Sequence, residues 1–237
     1  MTDLLDAPPA EPTQRERDAR RSWGLLGILV ASIATVVWVV AFSPALGVRT
    51  VQVHGARSVS VADIESAADI SRGRPLVRVD TAAIERRVER LARIASASVR
   101  VSYPSIVVIT VTERLAVGYF SDGGTIWLVD RTGRQFQTVR KAPKLPYLIA
   151  SGAAAYDPAT VRALATVAGA LNPALRKEVK GVTGDDPDHI RLLLRDGRLA
   201  LWGTADDSAR KVVVLTALLR RSGQTFDVSD PALVVVR

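Results

Sequence analysis

From Trp23 to Phe42 the chain reads WGLLGILVASIATVVWVVAF, with no charged side chain in 20 residues. As an α-helix rising about 1.5 Å per residue, such a run spans about 30 Å, the thickness of the hydrocarbon core of a bilayer. It has no polar face, so it suits a half-buried helix on a soluble core poorly. Trp23 stands at one end, with Trp38 and Phe42 near the other, where interfacial aromatics belong. Pro44 and Gly47 then stop the helix. The expectation is a single transmembrane helix over 23–42. Arg15, Arg17, Arg20 and Arg21 precede it, whereas only Arg49 and Arg57 follow at a comparable distance. The positive-inside bias therefore expects residues 1–22 in the cytoplasm and everything beyond about residue 43 outside the cell membrane. A cleaved signal peptide is the rival, because Ala41-Phe42-Ser43 and Ser43-Pro44-Ala45 loosely resemble small-residue cleavage sites. Against it stand an apolar core longer than the ~7–15 residues of such signals and a long polar segment in front. That segment, with Pro8, Pro9 and Pro12, reads as a disordered tail.

The anchor changes what the charge can mean. A net charge of +8 would by itself suggest nucleic acid, anionic lipid or an acidic polymer. Residues 1–22 carry a net −1, so the remainder carries +9, spread out with no Lys/Arg run longer than two. A basic surface outside the cytoplasm has no nucleic acid to meet. Anionic envelope polymers, lipid headgroups and acidic proteins are the available counterparts. There is no cysteine, which excludes a disulfide framework, a thiol nucleophile and thiolate metal sites.

Residues 46–115 read as a first outer domain. VRTVQVHG alternates with Val51 and Val53 on one face and closes at Gly55. Ser60 and Asp63 form a capping pattern ahead of Val61, Ile64 and Ala68 at helical spacing. SRGRPLVRVD reads as a loop. Asp80 caps a second helix, with Ile84, Val88, Leu91 and Ala95 as one apolar stripe and Glu85, Arg86, Arg87, Glu89, Arg90 and Arg93 as a solvated face. Val99, Val101 and Tyr103 alternate on a strand, Pro104 turns a corner, and Val107, Ile109 and Val111 line a third strand. The expected order is β-α-α-β-β, one sheet with two helices over it.

These residues carry a family resemblance. Val48, Val51, Val53, Gly55, Val59, Ser60 and Ile64, then Gly73, Pro75, Leu76, Val79 and Asp80, then Ala97, Val99, Tyr103, Pro104, Ser105, Val107, Ile109, Val111, Glu113 and Arg114 follow in one order behind one apolar span. The set resembles the POTRA domain of the bacterial cell-division FtsQ/DivIB family. POTRA domains that precede outer-membrane barrels occur in arrays, and the rest of this chain is too short and helix-interrupted for a barrel.

Residues 116–237 read as a second outer domain, an α+β fold of mainly antiparallel strands with two helices. Asp122-Gly123-Gly124 joins AVGYF to TIWLV as a hairpin, and Asp130–Gly133 turns the chain into RQFQTV. KAPKLPYLI is extended. Asp157-Pro158 starts a helix that Asn172-Pro173 ends. Ile190, Leu192 and Leu194 lead into Asp196-Gly197, and Leu199 and Leu201 return. A helix follows from about Ala205 to Leu219, and TFDVSDPALVVVR closes as a strand, a kink at Asp230-Pro231 and a short last strand. This half is also similar to FtsQ, in W.VD..G..F, L.L.DG....G, a helix carrying Lys211, and DVS.P.

Catalytic and metal chemistry find no support in the residues. His54 and His189 are the only histidines, Asp185, Asp186 and Asp188 lack the alternate-residue spacing of a calcium loop, and no P-loop, GxSxG or HExxH pattern is present. No catalytic residue, cofactor, metal or small-molecule substrate is expected. The resemblance implies a non-enzymatic, single-pass scaffold of the division septum, with FtsB/DivIC-like and FtsL-like bitopic proteins as partners and septal peptidoglycan synthesis beyond them. Strand addition is the expected mode if Leu233, Val234, Val235 and Val236 lie at a sheet edge, with Lys211 nearby for an acidic partner. The same four residues could instead form a covered or central strand. A different reading is an anchored envelope module that holds an anionic polymer on its basic outer surface.

Overall fold

The computed structural model describes residues 26–36, 38, 46–150 and 157–236. Residues 26–36 are helical, with Ile28, Leu29, Val30 and Val36 more than half exposed. Among the described residues no helix is long and apolar enough to cross a membrane. The whole tail, residues 1–22, and both ends of the apolar run, including Trp23 and Phe42, lie outside the described residues.

The chain divides into two compact units. The first takes Met1–His54, Val61–Arg87 and Ser98–Thr110, and the second takes Gly55–Ser60, Val88–Ala97 and Val111–Arg237.

In chain order, β1 (Thr50–His54) is followed by α1 (Val61–Ala68), a 3-10 turn at Leu76–Arg78, α2 (Thr81–Glu89), β2 (Ile94–Ser102) and β3 (Ile106–Glu113). Two helices between β1 and the last pair return the chain so that β1 runs parallel to β3, with Val51 opposite Val107 and Val53 opposite Ile109. The sheet order is β1-β3-β2. Ile64, Leu76, Ile84, Val107 and Ile109 are buried, each contributing about 1.5–3 kcal/mol by leaving water. Asp80 caps α2 as expected, its Oδ1 accepting from the Ala83 N–H at 2.9 Å.

Two expectations for α2 fail. The helix ends at Glu89, so Leu91 and Ala95 fall outside it; Ile94, fully buried, starts β2 instead. Tight bonds from Leu91 N to Val88 O and from Ile94 N to Leu91 O unwind the helix there. Its charged face is also not merely solvated. Glu85 accepts from the Val99 N–H at 2.7 Å, Glu89 from the Ala97 N–H at 3.1 Å, and the Arg87 guanidinium donates to Ala68 O. Backbone groups left over by the sheet and by the end of α1 recruit these side chains.

The second unit holds β4 (Ala116–Asp122), β5 (Thr125–Asp130), β6 (Gln135–Val139), β7 (Tyr147–Ala150), α3 (Pro158–Ala170), α4 (Pro173–Glu178), β8 (Val179–Gly184), β9 (Ile190–Leu194), β10 (Leu199–Gly203), α5 (Ser208–Leu218), β11 (Thr225–Asp227) and β12 (Val235–Val236). The strands form one mixed nine-stranded sheet in the order β12-β11-β10-β9-β8-β7-β4-β5-β6. Gly123 and Gly124, with φ of 52° and 83°, make the two-residue hairpin that the sequence predicts between β4 and β5. Asp157 caps α3 by accepting from the N–H groups of Ala159 and Thr160.

The fold adds two elements to those read from sequence. Asn172-Pro173 ends α3 and also starts α4, Asn172 Oδ1 accepting from Leu175 N at 2.7 Å. The stretch VKGVTG is β8, buried at Val179 and Val182 and paired with β7 and β9. Its two glycines and short apolar content hide it from a periodicity reading. Helix α3 lies against β4, β7 and β8, and α5 touches α3 and α4. Trp202, Phe226, Leu164, Leu192 and Leu215 sit within the one buried cluster that results.

Candidate functional site

The last strand closes the sheet. β12 pairs antiparallel with β11, Val236 opposite Phe226 and Val235 opposite Asp227, and among the described residues it has no strand on its other side. Leu233 and Val234 fall outside the strand that the sequence predicts for 233–236: Leu233 lies in a bend and the ladder begins at Val235. The cause is Asp230, whose carboxylate accepts from Ala232 N at 2.8 Å and whose carbonyl accepts from Leu233 N at 3.1 Å. This turn holds Pro231 outside the ladder, where its missing N–H costs nothing. Beyond the turn the side chains alternate. Val234 and Val236 pack against the buried cluster, whereas Leu233 and Val235 are 72% and 38% exposed. The edge thus combines open backbone with apolar side chains facing solvent.

Lys211 lies on α5 with 2% of its surface exposed. Its Nζ donates to the carbonyls of Trp202 and Thr204, each at 3.0 Å, where β10 ends. Burial pushes its pKa below the usual lysine range, and the carboxylates of Asp206, Asp207 and Asp230 act in the opposite direction. The ammonium is therefore tied to its own chain. Trp202, fully buried, donates from Nε1 to Ser208 Oγ at 3.1 Å, which fixes the start of α5 on β10.

Beside this edge Asp227 and Ser229 line a cleft of about 530 Å³ together with Asp185, Asp186, Asp188 and His189. Asp186 accepts from the N–H groups of Asp188 and His189 and meets His189 Nδ1 at 2.7 Å. The His189 bond comes first among the causes that hold the Asp186 carboxyl below its usual range. This is a turn satisfied by its own side chains, and among the described residues no three His, Cys, Asp or Glu side chains come together as a metal cluster would require.

Of the anchor residues, Trp38 is helical and 63% exposed. Two contacts escaped the reading of the sequence. Glu113 Oε1 accepts from three consecutive N–H groups, Arg57, Ser58 and Val59, at 2.6, 2.8 and 3.1 Å. Desolvation opposes this, but those bonds and one from the Ser58 hydroxyl hold the Glu113 pKa at about 2. Arg114 pairs with Asp130, itself buried and accepting from Thr132 and Arg134. Glu113 and Arg114 stand side by side in the set that carries the family resemblance, but nothing local to them points to partners so far along the chain.

Comparison with known proteins agrees along most of the chain. Residues 46–114 match the family model of the POTRA domain, FtsQ-type, and residues 118–232 that of cell division protein FtsQ/DivIB, C-terminal. Cell division protein FtsQ of Mycobacteroides abscessus is 36% identical over 213 residues, covering 90% of this chain and 67% of that protein. Cell division protein FtsQ of Streptomyces coelicolor is 34% identical over 253 residues, covering 93% of this chain and 96% of that protein. A solved structure of the major extracytoplasmic domain of DivIB from Geobacillus stearothermophilus aligns with 47% of this chain at 19% identity and a TM-score of 0.35.

Proposed function

The chain belongs to the FtsQ/DivIB family of bacterial cell division proteins, and from that premise we propose that it is a non-enzymatic, single-pass scaffold of the division septum. Its partners in this reading are FtsB/DivIC-like and FtsL-like bitopic proteins, which connect it to septal peptidoglycan synthesis. The apolar run 23–42 is the anchor, with Trp23, Trp38 and Phe42 at its interfaces and the two folded units outside the cytoplasm. Support for the anchor comes from 20 uncharged residues and from a helical stretch at 26–36 whose large apolar side chains face outward.

The observation that carries the reading is the bare edge of β12. A partner segment adds a strand beside Val235–Val236, taking its affinity from main-chain hydrogen bonds and its register from the side chains it sets against Leu233 and Val235. Val234 and Val236 act from beneath, holding the strand on the buried cluster. Lys211 is a positioning residue here. Its two bonds to Trp202 and Thr204 fix the end of β10, the strand on which β11 and then β12 are laid.

The test is capture of the partner's outer domain by the full chain in nonionic detergent, with septal recruitment scored in cells. Val235→Glu places a charge on a half-exposed position without touching the buried cluster. The reading expects lost capture and diffuse partner localisation at unchanged melting temperature. Undiminished capture by a folded V235E variant, and by V235P beside it, sinks strand addition at this edge.

A further inference from the structure

A second cleft, of about 520 Å³, is lined by Lys144, Pro173, Arg176, Lys177 and Arg195, so four of its five lining residues are cationic. None of the four forms an ion pair among the described residues. The acid next in sequence, Glu178, does not line the cleft, and Asp196 pairs with Arg198 instead. Like charges gathered this closely repel one another unless an anion answers them.

Three main-chain carbonyls around the cleft already have donors. Arg195 Nε donates to Lys177 O at 2.8 Å, Arg195 N to Glu178 O at 2.8 Å, and Arg176 Nη2 to Leu171 O at 2.9 Å. Lys144 precedes β7, Lys177 precedes β8 and Arg195 follows β9, and each of these strands is paired on both sides in the sheet. No open ladder is available there, and those carbonyls are engaged by the protein's own arginines. What remains to a ligand is a set of N–H donors with positive charge.

We propose that this cleft binds a phosphodiester polymer of the envelope. A phosphodiester chain has acceptors and no N–H donors, so it matches a donor-lined cleft. An acidic peptide brings one N–H per residue and finds these carbonyls occupied. The guanidinium of Arg176, half-buried and anchored on Leu171 O, and that of Arg195, anchored on Lys177 O, are held in place for a bidentate contact with the two free phosphate oxygens. Lys144 and Lys177, both exposed, add mobile charge at the rim. The proposal relies on the scaffold reading only for the side of the membrane on which the cleft lies.

The experiment uses the full chain in nonionic detergent and a fluorescent poly(glycerol phosphate) as the probe, followed by anisotropy over a range of salt. The binding constant falls linearly with salt on logarithmic axes, and Lys144→Glu with Lys177→Glu weakens binding at low salt by about tenfold or more. Both positions are exposed, so the double variant keeps its melting temperature, and it still captures the septal partner. V235E does the reverse, losing the partner and keeping the polymer, which separates failure of this site from failure of the β12 edge. Equal binding of poly-glutamate, or full binding by the folded double variant, overturns the proposal. Competition by glycerophosphoglycerol as strong per phosphate as by the polymer overturns it in favour of a lipid headgroup.

Discussion

The guanidinium of Arg114 and the carboxylate of Asp130 form an ion pair whose side chains are only 9% and 6% exposed. It ties the residue that follows β3 to the end of β5. Asp130 also accepts from the Thr132 N–H and hydroxyl and from the Arg134 N–H. These bonds outweigh burial and keep its pKa below the usual range. A buried pair broken on one side leaves an uncompensated charge and costs about 3–5 kcal/mol. The remaining bonds to Asp130 soften this, so Arg114→Ala is expected to lose about 3 kcal/mol in chemical denaturation. Arg114→Ala with Asp130→Asn, which removes the orphaned charge but keeps a side-chain oxygen for Thr132 and Arg134, should lose less than Arg114→Ala alone, and a larger loss contradicts the pairing.

Glu113 predicts an acid limb of stability. Its folded pKa of about 2 lies below the ordinary 4.5, so the unfolded chain binds the proton more readily. The stabilisation is whole above about pH 5 and is lost as the pH falls from the ordinary value through the folded one. Glu113→Gln should therefore show a smaller difference in urea midpoint between pH 6 and pH 3 than the parent. Identical differences would show that the loop 57–59 does not draw on this carboxylate.

Lys211 gives a stability prediction of its own. Lys211→Met keeps much of the apolar stem but leaves the carbonyls of Trp202 and Thr204 without their donor, at a cost of about 1–3 kcal/mol. Partner affinity should fall with it, and a suppressor that restores the melting temperature without an ammonium at 211 should restore only part of the affinity. Full recovery would confine Lys211 to stability alone.

The topology is testable because the chain has no cysteine. Ser121→Cys, at an exposed position of β4, is expected to react with a membrane-impermeant maleimide in intact, wall-permeable cells. Thr13→Cys in the tail should react only after lysis. Labelling of both in intact cells, or of neither, contradicts the orientation proposed from Arg15, Arg17, Arg20 and Arg21.

Much of this molecule is written locally. The alternation at Val51 and Val53, the spacing of Ile64 and Ala68, the caps at Asp80 and Asp157, and Gly123-Gly124 each specify an element through neighbours within a turn or a strand. That is why the order β-α-α-β-β, the hairpins and most of the helices of the second unit are legible without coordinates. The 20 uncharged residues from Trp23 to Phe42 likewise raise the expectation of a membrane anchor by length alone. Other features depend on which segments meet. VKGVTG becomes a buried strand only because β7 and β9 flank it, Glu85 and Glu89 leave solvent for the backbone of β2, and Lys211 turns inward to the end of β10. An edge, above all, is a property of sheet order: the apolar residues at 233–236 would read the same in the middle of a sheet. Only the sheet order, with β11 between β10 and β12, leaves Val235–Val236 without a strand on the far side among the described residues, because hydrogen-bonding capacity is local to each residue whereas its satisfaction is decided by partners far along the chain.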